Sequence, residues 1–137
     1  MIVIENYYFD TSMWLDIHEK RGYNGEVAKK LLEKIIRENK RIIYSDFIIK
    51  ELKDIGYLDN EITKMLSIAK PNNLKIIHRT KEQISESVRI AKQRDVPLGD
   101  AIHAVLARDH EAQLVSRDPH FLRLKDITRL ESPENLL

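Results

Sequence analysis

Four acidic residues, spread over most of the chain, have the clearest potential for chemistry. Asp10, Glu51, Asp100 and Asp118 each follow an apolar stretch that gives way to a turn, or lie just inside a helical segment. Acids that converge in one cleft repel each other, so their burial requires either protonation or a cation. Hard divalent cations such as Mg²⁺ and Mn²⁺ prefer carboxylate oxygens. The pattern therefore predicts a shared metal site.

Each of these acids also has a purely structural explanation. Asp10 is followed by two hydroxyl residues, and all three residue types cap helices. Glu51 lies in a helical segment, where a glutamate is usually solvated. Asp100 begins a strongly apolar helix and can be a cap as well, and Asp118 follows Ser116 just beyond an apolar run. Single positions do not separate caps from ligands, but four acids at expected element ends favour the metal site.

The elements that must position these acids are visible as apolar runs and helical repeats. We interpret Tyr7-Tyr8-Phe9, which follow the apolar run Ile2-Val3-Ile4, as a buried first strand. The other expected strands are 42–44, 74–77, 113–115 and a weaker run at 127–130. The expected helices in the first half of the chain are one after Asp10, one over 26–38, and one that Ser45-Asp46 caps and Gly56 ends. Three more are expected in the second half: 62–69 before Pro71, one that begins with a Thr80/Gln83 capping box, and 100–108.

Strands that alternate with helices predict an α/β fold, a three-layer α/β/α arrangement with a central, mainly parallel sheet. We expect one domain over residues 1–137, with residues 131–137 outside regular structure. In such a sheet the carboxyl ends of the strands meet at one edge, and ligands bind there. Acids that are far apart in sequence can therefore converge.

Composition narrows the function further. The chain has 137 residues, 42% of them hydrophobic, which suffices for one continuous core. Its 23 basic and 22 acidic residues nearly balance, but neutralising four acids with metal would leave a mildly basic surface that suits a polyanion. The absence of cysteine excludes disulfides and thiolate catalysis. With no signal-peptide pattern and no apolar run of about 20 residues, we expect a soluble, cytoplasmic protein without a membrane segment.

Several other residues have weaker functional interpretations. The five histidines show no zinc spacing, and we expect them to be solvated or partly packed, although His103 and His120 adjoin proposed ligands. Trp14 is expected in the core or at a dimer contact. Asp16 and Asp46 are candidate outer-shell groups, and three arginines are candidate contacts to a nucleic-acid backbone, namely Arg117, Arg123 and Arg129.

Two enzyme classes with a catalytic aspartate fit poorly. An aspartyl phosphotransferase needs Asp-x-Asp after the first strand, whereas this chain has Asp10-Thr11-Ser12. A receiver domain needs an acidic pair before the aspartate of the first strand, and Tyr8-Phe9 stand there instead.

Four segments together resemble the successive motifs of PIN-domain ribonucleases, the group that contains the VapC-type toxins. The segments are Tyr8-Phe9-Asp10-Thr11-Ser12, Ser45-Asp46-Phe47-Ile48-Ile49-Lys50-Glu51-Leu52, Leu98-Gly99-Asp100-Ala101-Ile102-His103-Ala104 and Leu114-Val115-Ser116-Arg117-Asp118-Pro119-His120-Phe121. The last two are the most specific. The resemblance extends from about Tyr7 to the end of the chain.

The resemblance implies a PIN-like domain that cleaves RNA as an endoribonuclease with Mg²⁺ or Mn²⁺. Asp10, Glu51, Asp100 and Asp118 would bind metal directly or through water, and Ser116, where threonine is frequent, would support the metal or the attacking water. It further implies the toxin of a toxin–antitoxin pair, a small antitoxin protein as partner and a homodimer. An RNA-processing nuclease outside such a pair, or a non-catalytic module that binds RNA or protein, are the alternatives.

Overall fold

A five-stranded parallel sheet forms the centre of the molecule. The computed structural model describes residues 3–69 and 71–137. In chain order the strands are β1 (Asn6–Phe9), β2 (Arg41–Ser45), β3 (Leu74–Ile77), β4 (Gln113–Val115) and β5 (Leu130–Glu131). They lie in the order β3-β2-β1-β4-β5, and every neighbouring pair is parallel. The predicted α/β fold with a central parallel sheet is confirmed.

The apolar runs form strands because most of their side chains are buried from both faces of the sheet. Tyr8 and Phe9 of β1, Ile42 and Ile43 of β2, and Leu114 of β4 are completely buried. Strands buried on both faces have continuous apolar sequences instead of alternating ones. The edge strands β3 and β5 are more exposed, which explains why β5 has the weakest sequence signal.

Six α-helices connect the strands. They are α1 (Thr11–His18), α2 (Gly22–Arg37), α3 (Asp46–Asp54), α4 (Asp59–Leu66), α5 (Lys81–Arg94) and α6 (Leu98–Asp109). Right-handed crossovers place α1 to α4 on one face of the sheet and α5 with α6 on the other. In agreement, α1 packs on α2, α3 and α4, while α5 packs on α6. From β1 the chain adds β2 and β3 on one side and then returns to add β4 and β5 on the other side. The order in which strands are added therefore reverses between β1 and β4.

Local sequence signals set several of the helix ends. Asp10 caps α1 through the backbone N–H of Met13, and Ser45 caps α3 through that of Ile48. Thr80 and Gln83 form the expected capping box of α5. The end of α3 is followed at Gly56 by a φ of 109°, a left-handed conformation that glycine adopts without strain.

Helices α1 and α2 are in close contact at Gly25. A Cβ atom at this position would lie 2.5 Å from the backbone carbonyl oxygen of Asp16. Only a residue without a side chain allows this approach, which brings Leu31 and Leu32 of α2 into the core.

The boundaries differ from the sequence prediction at several places. Strand β1 begins at Asn6, one residue before the predicted Tyr7. Helix α2 begins four residues before the predicted Glu26, α4 covers 59–66 instead of 62–69, and α6 begins at Leu98. The fifth strand is Leu130–Glu131, and the expected irregular tail contains the end of that strand and a 3₁₀ helix over Pro133–Leu136.

Trp14 is completely buried and its ring packs against that of Phe9, so of its two predicted positions the structure shows the core. Among residues 3–69 and 71–137, no helix combines the length and apolar character needed to span a membrane.

Candidate metal centre

All four acids predicted as ligands line one cleft at the carboxyl edge of the sheet. The cleft has a volume of about 270 Å³ and lies where β1 and β4 run side by side. Asp10 follows β1 and Asp118 lies three residues after β4, while α3 contributes Glu51 and α6 contributes Asp100. The other lining residues are Thr11, Ser12, Leu15, Ile55, His103 and Phe121. In open α/β sheets, ligands bind at this kind of topological switch point.

Asp10 is both a helix cap and part of the cleft, so its two explanations coexist. Its side chain is buried, and Oδ1 accepts hydrogen bonds from the N–H of Met13 and from Ser12 Oγ, each at 3.0 Å. Oδ2 accepts one from Ser116 Oγ. Burial raises the pKa of Asp10, although these hydrogen bonds oppose the rise. Oδ2 retains capacity for one further partner.

Ser116 connects the acids that follow the two central strands. Its hydroxyl donates to Asp10 and accepts the backbone N–H of Asp118 at 3.0 Å. Asp118 in turn accepts the N–H of His120 at 2.9 Å and caps a short 3₁₀ helix, Pro119–Leu124. The single hydroxyl thus fixes the distance between the ends of β1 and β4.

Asp100, Asp118 and His120 form the tightest group of ligand-type side chains. One carboxylate oxygen from each acid and a ring nitrogen of His120 lie within 4.8 Å of one another. Nδ1 of His120 is 3.0 Å from Asp118 and 3.5 Å from Asp100. Burial and the neighbouring charge of Asp118 raise the pKa of Asp100 to about 6. The pair therefore resists full ionisation unless a cation is present.

Glu51 reaches the cleft from α3, and two hydrogen bonds hold its carboxylate in place. Its Oε1 accepts hydrogen bonds from Thr11 Oγ1 and His103 Nε2, both at 2.6 Å. Burial alone would raise the pKa of Glu51, but the hydrogen bonds from His103 and Thr11 outweigh it and hold this pKa below its usual range. Glu51 is therefore an ionised, oriented carboxylate.

The donor set fits a hard divalent cation. The cleft contains carboxylate oxygens with no thiolate, a preference shared by Mg²⁺ and Mn²⁺. Within the described part of the chain, Oδ2 of Asp100 is buried without a hydrogen-bond partner, and Asp100 has a raised pKa. A cation would supply the missing partner and remove the repulsion that raises this pKa. Asp10, Glu51, Asp100 and Asp118 are the residues that could hold it.

Other candidates from the sequence lie elsewhere or have partners of their own. Asp16 pairs with Arg21, and Asp46 accepts hydrogen bonds from Arg79. Of the candidate backbone-binding arginines, Arg117 pairs with Glu134, and Arg123 donates to the carbonyl oxygens of Arg94 and Asp95. Arg129 donates weakly to the carbonyl oxygen of Glu111.

His103 differs from the sequence expectation. It was expected to be solvated or partly packed, as the structure shows for His18, His78, His110 and His120, but it is only 3% exposed. The reason is that both ring nitrogens have partners within the protein, the buried Tyr8 and the half-buried Glu51. Its position one turn after Asp100 on an apolar helix is the sequence signal that could have indicated an inward orientation.

A family model for the PIN domain matches residues 7–127. This chain belongs to the PIN domain family. The resemblance inferred from the four segments is thereby confirmed, and PIN domains are in general nucleases that use divalent metals. No curated protein sequence matched the chain.

Solved structures of toxin–antitoxin proteins share the fold of this PIN domain. VapBC2 from Rickettsia felis, bound to a DNA fragment from its promoter, has a TM-score of 0.69 at 20% identity, covering 93% of this chain and 98% of the other. VapBC-1 from nontypeable Haemophilus influenzae gives 0.66 at 15%, covering 94% and 98%. A toxin-antitoxin complex from Klebsiella pneumoniae gives 0.64 at 21%, covering 93% and 97%. At these identities the likeness establishes the fold.

Proposed function

We propose that this PIN domain is an endoribonuclease that hydrolyses RNA phosphodiester bonds with Mg²⁺ or Mn²⁺. The observation that carries the proposal is the convergence of four carboxylates from four separate segments on one cleft. Caps alone would not bring them together, and the pKa of Asp100 is raised by burial and then by the charge of Asp118, a repulsion that a cation relieves.

Each side chain has a defined task in this proposal. Asp10, Glu51, Asp100 and Asp118 bind the metal, and Ser116 keeps Asp10 and Asp118 at a fixed separation through its two hydrogen bonds. When bound, a divalent cation acidifies a water for attack and offsets negative charge on the scissile phosphate. Hydrolysis of this kind leaves a 5′-phosphate on the product.

We further propose that the protein is the toxin of a toxin–antitoxin pair, is inhibited by a small antitoxin protein, and acts in the cytoplasm as a homodimer. The fold shared with VapBC proteins supports the first two statements. A neighbouring reading frame for a short DNA-binding protein would strengthen them, and its absence would favour RNA processing.

The test is cleavage of a mixed RNA panel by the purified, antitoxin-free protein in Mg²⁺, Mn²⁺ or EDTA. Cleavage should require metal, yield 5′-phosphate ends and disappear in Asp100→Asn prepared in parallel. Products with 2′,3′-cyclic phosphates would contradict the mechanism. Equal cleavage by the variant would indicate a contaminating nuclease, and a folded protein that cleaves nothing would favour a non-catalytic binding module.

A further inference from the structure

A buried chain of hydrogen bonds extends from the start of α3 to the cleft. The backbone N–H of Ile48 donates to Ser45 Oγ at 3.1 Å, and Ser45 Oγ lies 2.7 Å from the hydroxyl of Tyr8. This hydroxyl lies 2.7 Å from His103 Nδ1, and His103 Nε2 lies 2.6 Å from Glu51 Oε1. The hydroxyls and the imidazole between the two ends are buried, so each hydrogen requires an acceptor within the chain.

Only one arrangement of hydrogens satisfies every group along this chain. The N–H of Ile48 can only donate, so the Ser45 hydroxyl accepts it and passes its own hydrogen to Tyr8. Tyr8 then donates to Nδ1 of His103, which leaves the ring hydrogen on Nε2, pointing at Glu51. A carboxylate can only accept hydrogen bonds, so Glu51 requires the same arrangement.

The opposite direction fails at Ser45. If His103 carried a hydrogen on Nδ1, Tyr8 would accept it and donate to Ser45. The Ser45 hydroxyl would then have no acceptor, because among the described residues its Oγ contacts only Tyr8 and the N–H of Ile48. A buried hydroxyl without an acceptor is unfavourable. The fold therefore selects the tautomer of His103.

This selection also determines which oxygen of Glu51 is free. Thr11 and His103 both donate to Oε1, and within the described part of the chain Oε2 accepts no hydrogen bond. Oε2 lies against Gly99, where a Cβ atom would come within 3.2 Å of it. The missing side chain of Gly99 leaves room for this oxygen.

We infer that His103 is a positioning residue: Ser45 and Tyr8 at Nδ1, together with the Glu51 carboxylate at Nε2, fix its Nε2–H tautomer, so that it holds Oε1 of Glu51 and presents Oε2 as the metal ligand. The inference rests on the proposed metal-dependent function. Tyr8 does not line the cleft, so its role is carried entirely through His103.

The first test reads the tautomer directly and needs no activity. Long-range ¹H–¹⁵N NMR of the metal-free protein should show the hydrogen of His103 on Nε2, with the signal assigned by its loss in His103→Gln. In Tyr8→Phe, the ¹⁵N resonance of Nδ1 should move, because Nδ1 loses its hydrogen-bond donor while Nε2 keeps its hydrogen for the carboxylate of Glu51. A hydrogen on Nδ1 in the wild-type protein, or an unchanged signal in Tyr8→Phe, would overturn the inference.

The second test measures the consequence for the metal. Tyr8→Phe should weaken Mn²⁺ binding, measured by calorimetry, about 10- to 100-fold, the usual effect of losing an outer-shell partner. The matched control is Tyr7→Phe on the same strand, where the lost hydroxyl has no hydrogen bond among the described residues. Equal affinity in Tyr8→Phe and wild type, with thermal unfolding confirming the fold, would overturn the inference alone. Wild-type protein that binds no Mn²⁺ would overturn the proposed function itself.

Discussion

Asp100 makes the stability of the metal-free protein depend on pH. Its pKa is raised from 3.8 to about 6, chiefly by burial and then by Asp118. A carboxyl with a raised folded-state pKa favours folding below about pH 4 and loses that contribution as the pH rises through 6. The effect amounts to roughly 3 kcal/mol at most, since one unit of pKa corresponds to about 1.4 kcal/mol.

We therefore expect Asp100→Asn to be more stable than wild type above pH 6 in EDTA, and the difference to vanish near pH 4. Chemical denaturation in EDTA across this pH range measures it. Saturating Mg²⁺ should reverse the order, because it stabilises only a protein that binds it. If the difference in the free energy of unfolding between the two proteins were the same at all pH values, the carboxyl of Asp100 would not be the cause of the pH dependence.

At the scale of single residues, the positions of the acids followed from the sequence because strand ends and helix starts were recognisable around them. The hydrogen-bond partners of these acids could not be predicted in this way. Tyr8 looked like an ordinary core residue, and His103 gave no local signal of its two contacts. Those contacts join residues 95 and 52 positions apart, and only the packed sheet brings them together.

The hairpin of α1 and α2 depends on Gly25. Helix propensity alone would make Gly25→Ala stabilising by about 1 kcal/mol. The 2.5 Å approach to the carbonyl oxygen of Asp16 reverses the sign, because backbone atoms cannot move aside cheaply. We expect Gly25→Ala to lower the free energy of unfolding by about 1–3 kcal/mol.

Urea unfolding measures this change, with Glu26→Ala as the control at the next, exposed position of the same helix. Glu26→Ala should have little effect. A Gly25→Ala protein as stable as wild type would mean that the two helices separate without cost, and that the close approach is not required for the fold.

Among the elements, the short apolar strands 74–77 and 113–115 were predicted with their observed bounds, since Pro71-Asn72-Asn73 and the preceding helix end delimit them. Helix α2 was predicted to start too late. Two glycines in its first turn weaken the local signal, and packing against α1 supplies the stabilisation that helix propensity lacks. The same kind of tertiary dependence shortened and displaced β5, which has only β4 as a neighbour.

At the scale of the whole molecule, the net charge is only +1, so the overall charge attracts a polyanion weakly. We therefore expect the acids of the cleft to control the affinity for the proposed RNA substrate. Without metal, four carboxylates face the phosphates and repel them. We expect Asp100→Asn/Asp118→Asn to bind RNA several-fold more tightly than wild type in EDTA, although it should not cleave. Fluorescence anisotropy with a labelled single strand measures this affinity.

The control for this comparison must remove the same number of charges elsewhere. Glu33→Gln/Glu82→Gln does so at exposed positions on α2 and α5, outside the cleft. If both double variants gained affinity equally, net charge alone would explain the effect. A gain confined to the cleft variant would place the bound RNA beside the acids.

The strand order could not be read from the sequence, because alternation of strands and helices allows many orders. The order β3-β2-β1-β4-β5 is nevertheless what makes Asp10 and Asp118 neighbours. Each acid could be predicted separately from the sequence, but their convergence in one cleft depends on the strand order of the sheet.

The hydrogen bond between Ser116 and Asp10 joins residues 106 positions apart. During translation, a growing polypeptide that ends before β4 cannot form the β1–β4 pairing, and one that ends before Asp118 lacks a carboxylate of the cleft. The site is therefore assembled only after the segment that contains Asp118 has been synthesised. Under the proposed function, nascent chains and proteolytic fragments that lack Asp10 or Asp118 should be harmless to the RNA of the cell that makes them, including the ribosome and the message from which they emerge.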